Sequence, residues 1–338
     1  MRQKTSEIRA FILHLCRTKT RNVAAETARH FSITKQAAAR HLAVMEKEGL
    51  LASEGRGRAK MTWLRPVIQK SWEFSLNGLA EDVVWRETIS PLLNDLPENL
   101  KDIWYYAFTE MVNNAIDHSE GMKLSLYLQR TALNIEIWVR DDGEGIFHRI
   151  QRLADLYDAR GAILELAKGK FTTDPARHTG EGIFFTSRAL DSFAILSRNL
   201  YFSHLAEQDD WLIDDDKDTS GTLVIMKMDN DSQRTLESVY SQYAEPDELN
   251  FSKTVVPVRL AVHEGEKLVS RSQAKRLLSR FEKFKTVVLD FEGVAEIGQA
   301  FADEIFRVFA SAHPEVSLIP INVSSEAQQM IVRALAVK

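Results

Sequence analysis

A helical stretch in the middle of the chain carries polar side chains that could bind a charged ligand. The sequence EMVNNAIDHS begins at Glu110, and Asn113, Asn114 and Asp117 follow at helical spacing. At about 100° per residue, the four side chains fall within an arc of roughly 100°. Apolar residues, among them Trp104, occupy the neighbouring arc. The predicted helix therefore has an apolar face and a separate polar stripe, which either faces solvent or holds something charged.

A second motif, DDGEGI, follows the predicted strand LNIEIWVRD and combines a carboxylate with two glycines. Asp141 ends the strand, and Gly143 and Gly145 follow two residues apart, before Ile146. Glycine lets the backbone turn sharply and approach a ligand closely. The carboxylate at Asp141 remains able to accept a hydrogen bond. The expected chemistry is recognition of a flat ligand that bears an exocyclic amine.

Two further glycine motifs complete the series. In HTGEGIFF, Gly180 and Gly182 come just before a predicted helix, where bare N–H groups and the helix dipole favour phosphate. In SGTLVIMKM, Gly221 and Thr222 open a predicted strand. A tight turn would explain any one of these motifs alone. Their combined order and spacing instead indicate one ligand site.

Together the motifs resemble the GHKL ATP-binding fold, which DNA gyrase B subunits, Hsp90, mismatch-repair ATPases, histidine kinases and anti-sigma-factor kinases share. The resemblance covers roughly residues 75–230 and implies a GHKL (Bergerat) α/β sandwich that binds ATP and Mg²⁺. The stretch 147–179 then corresponds to the ATP lid, whose Lys168, Lys170 and Arg177 either neutralise phosphate or are solvated charges. The predicted nucleotide-binding residues are Asn113, Asn114, Asp117, Asp141, Gly143, Gly145, Ile146, Lys170, Thr179, Gly180, Glu181, Gly182, Ile183 and Thr222.

The resemblance implies a role for each part of this site. Asn114 helps to bind the Mg²⁺ that bridges the phosphates, and Asp141 recognises the adenine amino group. The backbone of residues 180–182 holds phosphate, and Thr222 supports the adenine end. Glu110 occupies the position where hydrolysing members keep a general base that activates water. Since kinases also have a glutamate there, Glu110 does not choose between hydrolysis and phosphotransfer.

Positive charge is concentrated at the N-terminus. Residues 1–65 contain 14 Lys and Arg against 5 Asp and Glu, a balance of +9, whereas the rest of the chain has a balance of −14. The predicted helices NVAAETARHF and ITKQAAARHLAVMEKEGLL precede a predicted hairpin with a Gly- and Arg-rich tip, LLASEGRGRAKMTWL. The pattern resembles the winged helix-turn-helix domains of bacterial transcription regulators, in which the second helix enters the major groove of DNA.

This resemblance implies that DNA is the partner of the N-terminal domain. The predicted DNA-binding residues, at the start of the second helix and on the hairpin, are Thr34, Lys35, Gln36, Arg40, Arg56, Arg58 and Lys60. Arginine and glutamine can contact base edges, and the hairpin cations suit phosphates. Some winged helices are only protein-docking surfaces, and that alternative stays open. The positive balance favours DNA.

The C-terminal stretch TVVLDFEGVAEIGQAFADEIFRVF predicts a buried strand, a turn and a helix that starts near Gly298. It resembles STAS-like domains, the fold of anti-anti-sigma factors, over about residues 254–338. Those factors carry a phosphorylatable serine at the helix start, where this chain has Gly298, Gln299 and Ala300. The resemblance therefore implies a docking or regulatory role with a protein partner rather than phosphotransfer. The alternative is that the residues around Gly298 only start the helix and pack in the core, without a functional role.

These elements predict a multidomain α+β chain with three parts. We expect a winged helix-turn-helix domain at residues 1–66, a GHKL α/β sandwich at 72–245 and a small STAS-like α/β domain at 252–338. A connector is expected to begin at Pro66, and AEPDELN is an expected linker. The 338 residues are enough for two or three domains with their own cores.

Composition indicates the cellular setting. Hydrophobic residues make up 44% of the chain and charged residues 27%, as in ordinary globular proteins. The single cysteine, Cys16, rules out an internal disulfide framework and suits a reducing compartment. We find no signal peptide and no run of about 18 apolar residues that would span a membrane. We therefore expect a cytoplasmic protein that has no membrane partner.

Three functions are compatible with these features. The first is a DNA-binding regulator whose state is set by ATP. A homodimer is one oligomeric state that such a regulator could have. The second is an enzyme, either a serine/threonine protein kinase of the anti-sigma type or a slow ATPase. The third is a signalling scaffold that binds ATP without turnover.

Overall fold

The computed structural model describes residues 2–172, 179–205, 208–214, 220–244, 250–262 and 266–336. Helices and three separate sheets in these ranges confirm a mixed α+β chain. The chain divides into two compact units. Unit 1 comprises Met1–Phe74, Ser125–Val139 and Ile225–Gln233. Unit 2 comprises Ser75–Leu124, Arg140–Val224 and Arg234–Lys338. No helix within the described ranges is long and apolar enough to cross a membrane.

The N-terminal part of unit 1 combines helices with a small antiparallel sheet. Its elements are α1 (Arg2–Leu15), β1 (Thr20–Arg21), α2 (Val23–Phe31), α3 (Lys35–Lys47), β2 (Leu51–Glu54) and β3 (Met61–Leu64). β2 and β3 form the expected hairpin, with a 3₁₀ turn at its tip, Gly57–Ala59. β1 pairs with the other edge of β3, which the sequence did not predict because two residues are too few to show a period.

The core of this part is built from apolar side chains of these helices and strands, together with Cys16 after α1 and Leu133 from a later segment of unit 1. Its buried members are Ile8, Ile12, Cys16, Val23, Leu42, Met45, Leu51, Leu64 and Leu133. α3 begins at a capped turn, since the Thr34 hydroxyl accepts a hydrogen bond from Ala37 N at 3.1 Å. Such a cap stabilises a helix by about 1 kcal/mol. Burial raises the pKa of the Cys16 thiol to about 12.

The segment after Pro66 forms a strand, so the expected connector is wrong. This strand is β4 (Ile68–Ser75). Beside it, Val67 N donates to Arg130 O at 2.8 Å. The half-buried side chains of β4 lie on one face and belong to Ile68, Trp72 and Phe74. On that face, Lys70 interrupts the apolar alternation that marks a strand in a sequence.

The largest sheet has seven strands. Those after β4 are β5 (Lys123–Arg130), β6 (Asn134–Asp141), β7 (Ser192–Ser197), β8 (Leu200–Leu205), β9 (Gln208–Asp214) and β10 (Thr222–Asp229). The hydrogen-bonded order is β4-β5-β6-β10-β7-β8-β9, and β7, β8 and β9 pair antiparallel in sequence. The sequence predicted neither β8 nor β9; β9 is rich in aspartate, which is uncommon in strands.

Helices of unit 2 lie between these strands and after them in the sequence. They are α4 (Glu81–Val84), α5 (Glu98–His118), α6 (Ile146–Leu153), α7 (Arg160–Lys168), α8 (Gly182–Ala189) and α9 (Leu236–Tyr240). The sequence pattern predicts a helix over roughly 98–118, and α5 has these bounds. Its apolar arc, with Trp104, Phe108 and Met111, is buried. The sequence also predicts a helical stretch over roughly 77–92. In the structure it begins later, with α4, and continues as a π-helical turn (Trp85–Ile89) and a 3₁₀ turn (Ser90–Leu92).

The C-terminal part of unit 2 has a parallel sheet of order β11-β12-β13. Its elements are β11 (Lys253–Pro257), α10 (Arg271–Leu278), β12 (Thr286–Asp290), α11 (Gln299–Asp303), α12 (Ala310–Ala312), β13 (Ser317–Ile321) and α13 (Ser325–Ala336). The helix that the sequence predicts from near Gly298 comprises α11, the π turn Glu304–Phe309 and α12. Residues 245–249 of the expected linker lie outside the described residues.

Candidate functional site

Backbone donors hold the carboxylate of Asp141 at the end of β6. Asp141 is 7% exposed, and its Oδ1 accepts hydrogen bonds from Gly143 N at 2.9 Å and Thr222 N at 3.2 Å. The Thr222 hydroxyl in turn accepts a hydrogen bond from Ile146 N at 3.0 Å. The end of β6, the following loop and the start of β10 are thereby joined at one carboxylate.

The adjacent acids Asp141 and Asp142 have different environments. Burial raises the pKa of Asp141, and the hydrogen bonds from Gly143 and Thr222 oppose this shift. Asp142 is exposed, and its Oδ1 accepts from Lys123 N at 2.9 Å, a bond that helps to hold its pKa low. Asp142 therefore fixes the start of β5, whereas Asp141 has the raised pKa often found at functional sites.

Glycines near Asp141 lie where a side chain would overlap neighbouring backbone. A Cβ at Gly143 would lie 2.6 Å from Ser119 C, and one at Gly221 would lie 2.8 Å from Asp141 C. Gly145 has a φ of +91°, in the region that favours glycine. An isolated tight turn would not require these close approaches. The glycines instead allow separate segments to pass close to one another around the carboxylate.

The polar stripe of α5 is partly buried and lies next to α8. Glu110, Asn113 and Asn114 are half-buried, whereas Asp117 is exposed. A Cβ added to Gly182 would overlap the Glu110 carboxylate and lie 2.8 Å from its Cδ. The structure thus brings Glu110 against the first residue of α8, so that two motifs far apart in the sequence meet.

The turn before α8 has the conformation that its glycines suggest. Gly180 has a φ of +72°, in the left-handed region. Glu181 directly precedes the helix, and burial raises its pKa. Thr179 is exposed and Ile183 is half-buried. The first turn of α8 leaves N–H groups without helical acceptors, which is the arrangement that suits an anion.

Two tyrosines that the sequence analysis missed lie near these acids. Tyr106 is one turn before Glu110 on α5, and its hydroxyl is hydrogen-bonded to that of Tyr240 from α9. Burial raises the pKa of both phenols, and the charges of Glu110 and Glu181 raise it further. The spacing of Tyr106 from Glu110 could have revealed it, but nothing local indicates Tyr240.

Lys168, in the stretch expected to correspond to the ATP lid, is a buried structural cation. It is fully buried, and its Nζ donates to Glu165 Oε1 at 2.7 Å, Ser279 O at 3.0 Å and Arg276 O at 3.2 Å. Burial lowers its pKa to about 8, although Glu165 opposes that shift. The interpretation of Lys168 as a solvated charge is therefore wrong, and these three acceptors use the three donors of the ammonium group.

Lys170 also contacts the C-terminal part of unit 2. Its Nζ donates to Lys283 O at 3.0 Å and lies 4.9 Å from the centroid of the Phe284 ring. Burial lowers its pKa. Lys170 is thus turned toward these groups in this structure. Arg177 lies outside the described residues.

The predicted DNA-binding residues of unit 1 are mostly exposed. Lys35, Gln36 and Arg40 are exposed in the first half of α3, and Arg56 is exposed on the hairpin. Lys60 differs, since its Nζ donates to Glu46 Oε1 at 2.8 Å.

Thr34 caps α3, and the side chain of Arg58 lies outside the described residues. Lys19, which the sequence analysis did not select, lies 4.7 Å from the centroid of the Trp63 ring on β3. The contact arises because β1 pairs with β3, a pairing that the sequence pattern did not reveal.

The donor set limits how this chain could hold a metal ion. Among the described residues, no group of three or more His, Cys, Asp or Glu side chains could bind one. Mg²⁺ in proteins is often bound through one or two protein ligands, water and the phosphates of a bound molecule. The half-buried amide of Asn114 fits such a site, in which the bound molecule supplies several ligands.

Comparison with protein families finds a match in the C-terminal part of the chain. Residues 273–328 match the family described as a STAS-like domain of unknown function (DUF4325). This match confirms a STAS-like domain within the C-terminal part that the sequence predicted. The comparison with curated proteins finds no match.

Proposed function

We propose that unit 2 binds Mg·ATP at a site of the GHKL type, and that the chain is an ATP-responsive transcription regulator. In this proposal residues 1–66 act as a winged helix-turn-helix that binds DNA. A nucleotide can set the state of such a regulator only if it binds one arrangement of the chain more tightly than another.

The observation that carries the proposal is the environment of Asp141. A buried carboxylate is held by two backbone N–H groups, beside glycines that leave no room for a side chain. A carboxylate in a confined, low-dielectric setting can recognise an amino group strongly. The order of motifs matches the resemblance to GHKL proteins, in which this acid recognises adenine.

The remaining residues support a nucleotide that extends from Asp141 toward α8. The N–H groups at the start of α8 suit phosphate, and the Asn114 amide suits a phosphate-bound Mg²⁺. Such an ion would neutralise phosphate charge. Glu110, which lies against Gly182, is the candidate base for drawing a proton from water.

The proposal is tested by measuring ATP binding and turnover. We expect the wild-type protein to bind ATP with Mg²⁺, and Asn114→Ala to weaken binding about tenfold, the effect of losing roughly 1.4 kcal/mol. Glu110→Ala should retain most of the binding and, if the chain hydrolyses ATP, lose turnover. If both variants bind and turn over ATP like the wild type, the site is assigned wrongly.

The enzymatic alternative is separated in the same experiment by following labelled γ-phosphate. Release of free phosphate indicates an ATPase, and label on a partner protein indicates a kinase. Binding without either outcome leaves the regulator or the scaffold. The half-buried Glu110 beside Gly182 is the observation that favours keeping this second candidate.

The DNA part of the proposal is supported by the +9 balance and by exposed cations at the two expected contact regions. With a mixed-sequence DNA duplex, the double variant Arg40→Ala with Arg56→Ala should bind more weakly. If both arginines contact phosphate, its slope of log affinity against log salt should be shallower by about 2. Mobility shift over a salt series measures both.

Arg29→Ala is the control for lost charge, because this exposed arginine pairs with Glu26 at 3.0 Å on α2. We expect this variant to bind DNA nearly as the wild type does. Wild-type binding that is absent or insensitive to salt would instead favour a protein-docking role for the N-terminal domain.

A further inference from the structure

An arginine from the C-terminal part of unit 2 holds the end of the lid helix α7. Arg280 Nε donates to Glu165 Oε2 at 2.6 Å, and other guanidinium nitrogens donate to Glu165 O at 2.8 Å and Gly169 O at 3.4 Å. The planar guanidinium is suited to several acceptors in fixed directions. Arg280 lies within the STAS-like match, residues 273–328. The STAS-like domain thus orients both a side chain and the backbone of the lid.

The same guanidinium continues this contact toward the glycine turn before α8. Arg280 Cζ lies 4.9 Å from the centroid of the Phe171 ring, a distance suited to a cation–π interaction. The backbone of Phe171 packs against Gly180 so closely that a Cβ there would lie 2.7 Å from Phe171 N. Arg280, Phe171 and Gly180 therefore form a continuous line of contacts from the STAS-like domain to the turn.

We infer that Arg280 is a positioning residue for the phosphate-binding turn at residues 180–182, and that it acts through Phe171. This inference rests on the proposed function. By holding Phe171 in place, Arg280 orders the turn before nucleotide arrives, so that less of the interaction free energy is lost in ordering it. The STAS-like domain is therefore part of the nucleotide site's support, in addition to any partner it binds.

Removing Arg280 should leave the local charges balanced. Glu165 keeps the ammonium group of Lys168 at 2.7 Å, so its buried carboxylate still has a cation. Removing Glu165 would instead leave two cations without their shared partner, and an uncompensated buried charge is strongly destabilising. Arg280→Met is thus the suitable variant, because it removes the guanidinium contacts with α7 and Phe171 without leaving a lone buried charge.

The test compares ATP with adenosine in the full-length protein. Adenosine has the base that Asp141 is proposed to recognise, but no phosphate for the turn. We expect Arg280→Met to weaken ATP binding about tenfold and adenosine binding less than about twofold, since a positioned turn contributes only where phosphate is bound. Arg271→Met, at an exposed position on α10, is the matched control and should leave both affinities unchanged. Isothermal titration calorimetry measures all of these affinities.

A second variant keeps the test independent of the folding of Arg280→Met. Phe171→Leu should cause a similar selective loss of ATP affinity, and the double variant should lose no more than the larger single loss, because the two residues act in one line. Unchanged ATP affinity, or equal loss for ATP and adenosine, in folded variants would overturn the inference and leave the nucleotide site intact. Absence of ATP binding by the wild type would overturn the proposed function and this inference with it.

Discussion

Gly143→Ala is expected to abolish measurable ATP binding and to destabilise unit 2. A Cβ at this position would lie 2.6 Å from Ser119 C and nearer still to Ser119 O, so the obstacle is backbone at the end of α5. A flexible side chain could move aside, whereas this backbone moves only with the helix end. Overpacking of this kind costs about 1–3 kcal/mol or more. Denaturant unfolding and calorimetric titration with ATP measure the two effects.

Gly161→Ala provides the control for losing a glycine. Gly161 lies in α7, and a Cβ there would meet Leu156 Cδ1 at 3.5 Å, an ordinary contact. Neither glycine has a left-handed φ, so the comparison isolates the close approach. Alanine in a helix is favoured over glycine by about 0.5–1 kcal/mol, so this variant should be as stable as the wild type or more stable. Equal stability and ATP binding in the two variants would show that Gly143 makes no essential close approach.

Asp141→Asn is expected to reduce ATP affinity by about 100-fold, because a hydrogen bond to a charged group contributes about 1.5–3 kcal/mol. The protein is expected to stay folded. The amide oxygen can still accept from Gly143 N and Thr222 N, so the loop keeps its bonds. Its amide nitrogen, however, can only donate, and so cannot accept a hydrogen bond from the adenine amino group. Guanine presents a carbonyl at that position, so preference should shift from ATP toward GTP. Competition titrations with both nucleotides measure the shift.

The pH dependence of ATP binding tests the same carboxylate. Burial raises the pKa of Asp141 above its ordinary value of 3.8, so on acidification it takes up a proton sooner than an exposed aspartate. The charged form accepts the amine, so ATP affinity should fall as pH falls through the raised pKa. For stability the sign is opposite: the folded state binds this proton more tightly, so its stability contribution decreases as pH rises between 3.8 and the raised pKa.

Asp141→Asn should remove this part of the pH dependence of ATP binding, because the amide does not titrate there. ATP's own phosphates also titrate in mildly acidic solution, so the comparison is between the profiles of the two proteins. Identical profiles for the wild type and this variant would contradict a role for the carboxylate in binding.

Local patterns predicted elements well where they were long and periodic. α5 has the predicted bounds because its apolar residues recur at helical spacing along most of its length. The STAS-like domain is confirmed within the predicted tail. β4 and β9 were missed because their polar residues obscure the alternation of a strand. Such strands are specified by hydrogen-bonding neighbours elsewhere in the chain rather than by their own sequence.

In the candidate site, residues within short motifs could likewise be predicted, whereas contacts between distant segments could not. Asp141, Gly143 and Thr222 lie together, as predicted. They could be predicted because a strand end and glycines are visible in short sequence motifs. The contacts of Lys168 and the approach of Tyr240 could not be predicted, since their partners come from distant segments. A cation in a polar segment looks solvated in a sequence. Only the packing of α7 against the C-terminal part shows that Lys168 is buried.

The burial of Cys16 makes the chain's only thiol a probe of the N-terminal core. With a pKa of about 12, the thiol has almost no thiolate at neutral pH, and the surrounding core excludes alkylating reagents. Modification then requires the N-terminal core to open, and its rate measures that opening within the intact chain. A cysteine introduced at an exposed position would, by contrast, be the first to react, so that a dye could be attached there without removing Cys16.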